Sequence, residues 1–211
     1  VFEYIVVIQN TILDAEEINN DVDITWSSLP GGLTGDATGP ATGERTGDDG
    51  VGSGLNNYAA ADAVTTTSDL SYSLVKTLTS SNVADTVDPN LTIGEQATYT
   101  ITMTFGEGTT PAVTFQDDGE SVNEKLEILG ASAAFGANIS VSAASPYGRT
   151  YSDQVGGDGF NDRVTFNFGT VTNAADNTVD ADDRIVITLV CRVLNVSVNN
   201  ASDTATNTAE F

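Results

Sequence analysis

The sequence predicts an all-β protein built as an antiparallel sandwich, and three observations predict it. Residues 96–105, QATYTITMTF, alternate strictly, so that Ala97, Tyr99, Ile101, Met103 and Phe105 share one face. Roughly seven or eight short runs of this kind recur with Gly-, Asn- and Asp-containing turns between them, about every 8–15 residues, as in sandwiches. No stretch holds a persuasive helical periodicity, so the runs have only one another to pack against.

In chain order, residues 1–8 place Phe2, Tyr4, Val6 and Ile8 on one face and Ile5 and Val7 on the other. Both faces are apolar, as in a strand covered on two sides; left bare, it would be a sticky edge. Burying five or six such side chains contributes about 10 kcal/mol as an upper figure. Residues 11–20 read as a loop or one helical turn. In residues 21–27, Val22, Ile24 and Trp26 alternate with Asp23 and Thr25, a half-buried strand. Residues 29–54 are dense in Gly, Thr and Asp with Pro30 and Pro40, and read as a long surface loop or linker.

The body begins at residue 69. Residues 69–78 alternate Leu70, Tyr72 and Leu74 and then carry Lys76. After the strand at 96–105 come short strands at 112–115, 126–129 and 139–143, a Gly- and Asp-rich loop at 147–161, and a strand at 163–168. An acidic turn leads to residue 183, and 185–195 with 203–211 close the body as a terminal hairpin. That hairpin occurs twice: residues 2–10 lie over 187–195, and 20–24 (NDVDI) over 207–211 (NTAEF). The chain thus has two terminal hairpins and one body. The expected organisation is an N-terminal strand arm (1–28) that completes a neighbouring subunit or a preceding repeat, a loop or linker (29–68), and a sandwich (69–211).

Composition narrows the function. Thirty acidic residues against seven basic ones leave a net charge of −23, which repels nucleic acid and anionic membrane faces. It suits divalent-cation binding, or solubility in salty water. There is no His and one Cys, so no intrachain disulfide, no Cys/His zinc set and no His-dependent nucleophile system can form, and we do not expect an enzyme. Cys191, in an apolar run, is expected to be a buried small side chain. No run reaches the length of a membrane span. The start at Val1 without a leader suggests processing or excision from a longer chain, and the Gly- and Thr-rich, disulfide-free composition suggests a bacterial or archaeal exterior.

Four segments, SLVKT (73–77), TIGEQATYTITMTF (92–105), VTFQD (113–117) and NTAEF (207–211), resemble the conserved repeat domains of bacterial and archaeal surface proteins, long of unknown function. The resemblance covers residues 69–211, and 1–28 as the tail of a preceding repeat. It implies an Ig-like or prealbumin-like antiparallel β-sandwich, here with an extra N-terminal strand hairpin and a long Gly/Asp loop. The stretch QDDGESVNE departs from the family's VxDxLPxG after the third strand. Related Gram-positive surface sandwiches join a Lys on the first strand to an Asn on the last by an isopeptide bond, with a buried acid assisting. Carried over, this makes Lys76 and Asn207 the reacting pair, and Asp117 or Glu95 the acid. The chemistry requires a desolvated, neutral amine and a carboxyl group that moves protons. The competing reading is a lysine snorkelling at a strand edge and an asparagine in a turn.

Calcium is a second expectation. Glu44, Asp48, Asp49 and Asp62, with Asn57, are oxygen donors in and beyond a Gly-rich turn; Asp153, Asp158, Asn161 and Asp162 form another set. Asp176, Asp180, Asp182 and Asp183, and Asp117, Asp118 and Glu120, form two further acidic clusters. None has EF-hand spacing, and a single imperfect GGDGFND is no calcium β-roll. Asn90, Asn138, Asn195 and Asn200 are N-x-[ST] sequons and candidate glycosylation sites. Tyr147, Tyr151 and Phe160 are loop anchors or a sugar-stacking set. The expected function is a structural subunit of an extracellular filament, stalk or surface layer, a linear homopolymer joined head-to-tail by donation of Phe2, Tyr4, Val6 and Ile8. The alternative is a calcium-dependent adhesin or carbohydrate-binding module.

Overall fold

The computed structural model describes residues 3–9, 11–13, 15–27, 57–68, 71–83, 86–119, 125–154 and 157–211. It is all-β, with strands β1 (Glu17–Ser27), β2 (Asn57–Thr67), β3 (Tyr72–Ser81), β4 (Gln96–Phe105), β5 (Gly108–Asp118), β6 (Leu126–Phe135), β7 (Ile139–Val141), β8 (Thr150–Ser152), β9 (Arg163–Asn173), β10 (Arg184–Val193) and β11 (Thr208–Glu210). The chain forms two compact units. One comprises Val1–Ala15 with Asp69–Phe211, the other Glu16–Ser68.

The larger unit is a sandwich. One sheet runs β3-β4-β10-β6; the other runs β11-β5-β9-β7, with β8 also on β9. The alternation read from β4 is what its environment selects: Ala97, Ile101, Met103 and Phe105 are at most 1% exposed. β10 follows the same rule, with Ile185, Ile187, Leu189 and Cys191 facing in. Between the sheets Phe105, Phe115, Phe166 and Phe168 fill the layer, the last two stacked at 5.6 Å between ring centroids. Tyr147 and Tyr151 anchor loops: Tyr147 packs edge-on against Phe135 at 4.8 Å, and the Tyr151 hydroxyl accepts from the Ala131 amide.

A short 3-10 turn (Ala181–Asp183) precedes β10, and its Asp180 cap accepts from the Asp182 amide. It lies so close to Gly136 that a Cβ there would come within 2.2 Å of the Asp182 carbonyl oxygen, so only glycine fits.

Three departures from the expected elements have physical reasons. β10 and β11 are not a hairpin: they belong to opposite sheets, and β11 pairs with β5 through Ala209↔Asp117. The polar stretch between them is long enough to cross the sandwich; β10 buries its apolar face, and the partly buried Ala209 of β11 packs on the core from the other sheet. Residues 57–67, within the expected linker, form β2, paired with β1 along its whole length from Glu17↔Thr67 to Ser27↔Asn57. Its alanines and threonines carry too little hydrophobic contrast to announce a strand. Residues 3–9 form no strand, because a strand needs a neighbour and none of the described strands pairs with them. Ile5 is 94% exposed and Val7 77%.

Candidate functional site

On β3 the pleat turns Leu74, Lys76 and Leu78 toward the opposite sheet, while Ser73, Val75 and Thr77 face away. Lys76 is thereby carried into the sandwich. Its Nζ donates to Asp117 Oδ2 at 2.5 Å, with side-chain exposures of 14% and 0%. It also lies 5.2 Å from the centroid of the Tyr99 ring. β5 supplies Asp117 from the facing sheet, so the ion pair bridges the two layers. Of the two candidate acids, the structure brings Asp117 to the lysine. Glu95 is engaged elsewhere, accepting from the Thr86 hydroxyl and the Thr92 amide. Burial pushes its pKa up, but these donors outweigh it and hold the carboxylate below its ordinary range.

The electrostatics follow from taking both charges out of water. Burial is the largest influence on each and favours the neutral forms. It lowers the Lys76 pKa against the opposing pull of Asp117, and raises Asp117 to about 6 against the opposing pull of Lys76. The neighbouring Asp118 carboxylate adds a smaller push that raises both groups. Burial carries the Tyr99 hydroxyl and the Cys191 thiol both to about 12, so each stays neutral, and Cys191 is the inert core side chain expected of it.

Asn207 precedes β11. It stands two residues before Ala209, which is opposite Asp117 in the β11–β5 pairing. Both amide atoms of Asn207, Oδ1 and Nδ2, are covered from solvent with no hydrogen-bond partner, and so is Asp117 Oδ1. Leaving such groups unpaired costs about 1–3 kcal/mol each, and folded proteins keep few of them. A largely covered amine whose pKa is lowered, a buried carboxyl whose pKa is raised and an unsatisfied carboxamide thus come from the sandwich's first strand, its third strand and the lead-in to its last.

These three group types are the ones the isopeptide reaction uses. In that reaction's neutral-pair state the proton would sit on Asp117, and the Lys76 lone pair would add to Asn207 Cγ. Asp117 donates its proton to the amide and takes one back from the attacking nitrogen. The Nζ–Cγ bond forms as the Cγ–Nδ2 bond breaks, and the nitrogen leaves as ammonia, so atoms and protons balance.

The other sequence candidates lie elsewhere. Glu44, Asp48, Asp49, Glu120 and Phe2 fall outside the described residues. Asp62 is exposed and accepts from the Ala63 amide. In the 153–162 loop, Asp153 accepts from the Gly159 amide, Asp158 from that of Phe160 and Asp162 from that of Gln154, while the Asn161 carbonyl takes the Ile128 amide. Asp176 and Asp183 bind the Asn138 side chain. These carboxylates shape turns, and among the described residues no group of three or more acidic side chains is gathered as a cation site. Asn90, Asn195 and Asn200 are exposed. Tyr4, Val6 and Ile8 are exposed at 63%, 70% and 52%.

Sequence reasoning passed over the chain's other lysine. Lys125 is 7% exposed, donates to the Thr204 carbonyl at 3.2 Å and lies 3.6 Å from Asp203. The scarcity of lysine in so acidic a chain was the available signal. Among the described residues no helix is long and apolar enough to cross a membrane. No family model matches the chain, and no curated protein or solved structure matches it.

Proposed function

We propose that this chain is a structural unit of an extracellular linear array, a sandwich that locks itself with a Lys76–Asn207 isopeptide bond and is joined to its neighbours through its N-terminal segment. The observation that carries this reading is the Lys76–Asp117 pair between the sheets, together with the unsatisfied amide of Asn207 at the lead-in to the strand that pairs with β5. Its placement gives it mechanical meaning. In a head-to-tail or tandem array, tension enters a sandwich at its first strand and leaves at its last. A bond from β3 to the residue before β11 passes that tension through covalent atoms, and the two sheets need not shear.

Residues upstream of the sandwich support the array. The 3–9 segment exposes an apolar run, and the β1–β2 pair exposes Val22, Ile24 and Val64 at 49–60% on one face. Such surfaces belong against a partner, and the repeated sequence of the chain's two ends names the partner as another copy or a preceding repeat. Covering them in an assembly is also compatible with the surplus of acid, which keeps the remainder of the surface soluble.

Intact-mass measurement of the purified chain tests the lock. The expected mass is one ammonia below that of the sequence, restored to the full sequence value by Asn207→Ala. An unmodified mass for the folded wild-type chain overturns the bond. Electron microscopy of the native material tests the array.

A further inference from the structure

The sandwich has its own β10 and β11, so a donated strand has to add at a sheet edge, and the four edges differ. β6 is capped: the Ala131 amide is taken by the Tyr151 hydroxyl, the Ala131 carbonyl by the Arg149 side chain, and the Ile128 amide by the Asn161 carbonyl. β7 and β8 are three residues each. On the opposite side β11 is also three residues, and β5 beyond it carries Pro111 with a register break, and gives its Thr109 amide to the Ile12 carbonyl. These are the usual devices that blunt an edge.

β3 has none of them over its regular stretch. It pairs only with β4, and among the described residues no hydrogen bond reaches its outer side. Its register is unbroken from Tyr72 to Leu78, seven residues without Pro, Asp or Glu, and Val75 is 55% exposed. Leu74, Lys76 and Leu78 face inward yet remain only half-buried, for want of a strand beside them.

Residues 3–9, EYIVVIQ, match this edge. They are also seven residues, apolar on both faces, with Glu3 as their single charge. In a chain of net charge −23, copies repel one another nearly everywhere. Contact between a segment with one charge and an edge whose one charge is already paired avoids that repulsion.

We infer that the outer edge of β3 is the acceptor site for residues 3–9 of a second copy, which extend the β3-β4-β10-β6 sheet by one strand. The inference rests on the head-to-tail reading and locates its joint. The added strand covers the open flank of Leu74, Lys76 and Leu78, so docking seals the side from which water reaches the Lys76–Asp117 pair, and joins assembly to crosslinking at one seam.

Two full-length variants and their mixture, followed by sedimentation velocity over a range of concentrations, test it. Ile5→Asp/Val7→Asp disables the segment and keeps the edge; Val75→Asp, at an exposed position, disables the edge and keeps the segment. The wild type is expected to form chains that lengthen with concentration, and each variant alone to associate at least about tenfold more weakly. Mixed, they are expected to form a one-to-one dimer that grows no further, because its free ends are the disabled segment and the disabled edge. If Val75→Asp assembles like the wild type, or the mixture gives no dimer, the β3 assignment falls while the head-to-tail reading stands. A wild type that stays monomeric at every concentration overturns both.

Discussion

The chain's two lysines each face an aspartate, and the exposure of that aspartate separates the two pairs. Lys76 meets Asp117 between the sheets, where the carboxylate is fully covered, and the Asn207 amide just ahead of β11 has no partner. Lys125 meets Asp203 in the crossing between β10 and β11, where the aspartate side chain is 34% exposed. There the Asn200 amide donates to Asp203 at 2.8 Å, and this hydrogen bond is the chief reason that the carboxyl is held below its ordinary range. An acid already ionised and solvated has no proton to shuttle. The same three residue types therefore make the proposed reactive set in one place and a loop fastening in the other. Burial of the carboxylate is the difference, since the two lysine side chains are covered alike at 14% and 9% exposure.

The comparison can be broken most severely by removing a reacting group. Asn207→Ala and Lys76→Met should each abolish the ammonia loss. They should also lower stability by about 5 kcal/mol, the chain-entropy value for a cross-linked loop longer than 100 residues, read as a large fall in Tm. Asn207→Ala is the cleaner of the two, since it leaves the ion pair in place. Asp117→Asn keeps the shape and removes the proton carrier, so crosslinking should slow about 100-fold or more in a mass-resolved refolding time course.

A pH series sharpens the same point. Below about pH 6 Asp117 binds a proton while Lys76 still holds its own, so the pair carries one proton too many for attack. Above it the pair holds a single proton, and the neutral tautomer becomes accessible. The crosslinking rate should therefore fall as pH drops through about 6. A group whose folded pKa is raised favours folding in its protonated form, so Asp117 itself opposes folding increasingly as pH rises from its unfolded value through about 6. The uncrosslinked Asn207→Ala variant should show that slope in its denaturation midpoint. The smallest effects belong to the other lysine. Lys125→Met should leave the mass loss intact and cost about 1 kcal/mol through the orphaned Thr204 carbonyl, read by denaturant unfolding.

Much of the fold was legible because strands write themselves in period two. β4 was read to its end residues and β10 nearly so, because each has one face against a dense aromatic and aliphatic layer, whereas the reading of β9 stopped at residue 168 and the strand runs on to Asn173. β2 was not legible, since its Ala- and Thr-rich stretch leaves Val64 as its one large aliphatic side chain and that is exposed. The terminal segments at 185–195 and 203–211 were read as a hairpin; the first is β10, only Thr208–Glu210 of the second is a strand, and the two are not partners, because periodicity reports which face is buried but not against which sheet. At the site, the sequence supplied Lys76 and Asn207 through a resemblance and left Asp117 and Glu95 level. Both are buried carboxylates, and only the register that sets Ala209 against Asp117, and the turn that draws Thr86 and Thr92 to Glu95, tells them apart.

By itself, then, the amino-acid sequence determined the class of fold, the inward face of its central strands, the acidic surface and the duplicated end segments. These depend on local alternation, composition and self-similarity, which need no partner to be expressed. The tertiary structure alone decided that the last two segments lie in different sheets, that Asp117 rather than Glu95 meets Lys76, that Asn207 is enclosed without a hydrogen bond, and that β3 keeps an open edge. Each of these is a relation between residues far apart in the chain. Long-range packing sets it by choosing which polar groups leave water together and which find a partner when they do.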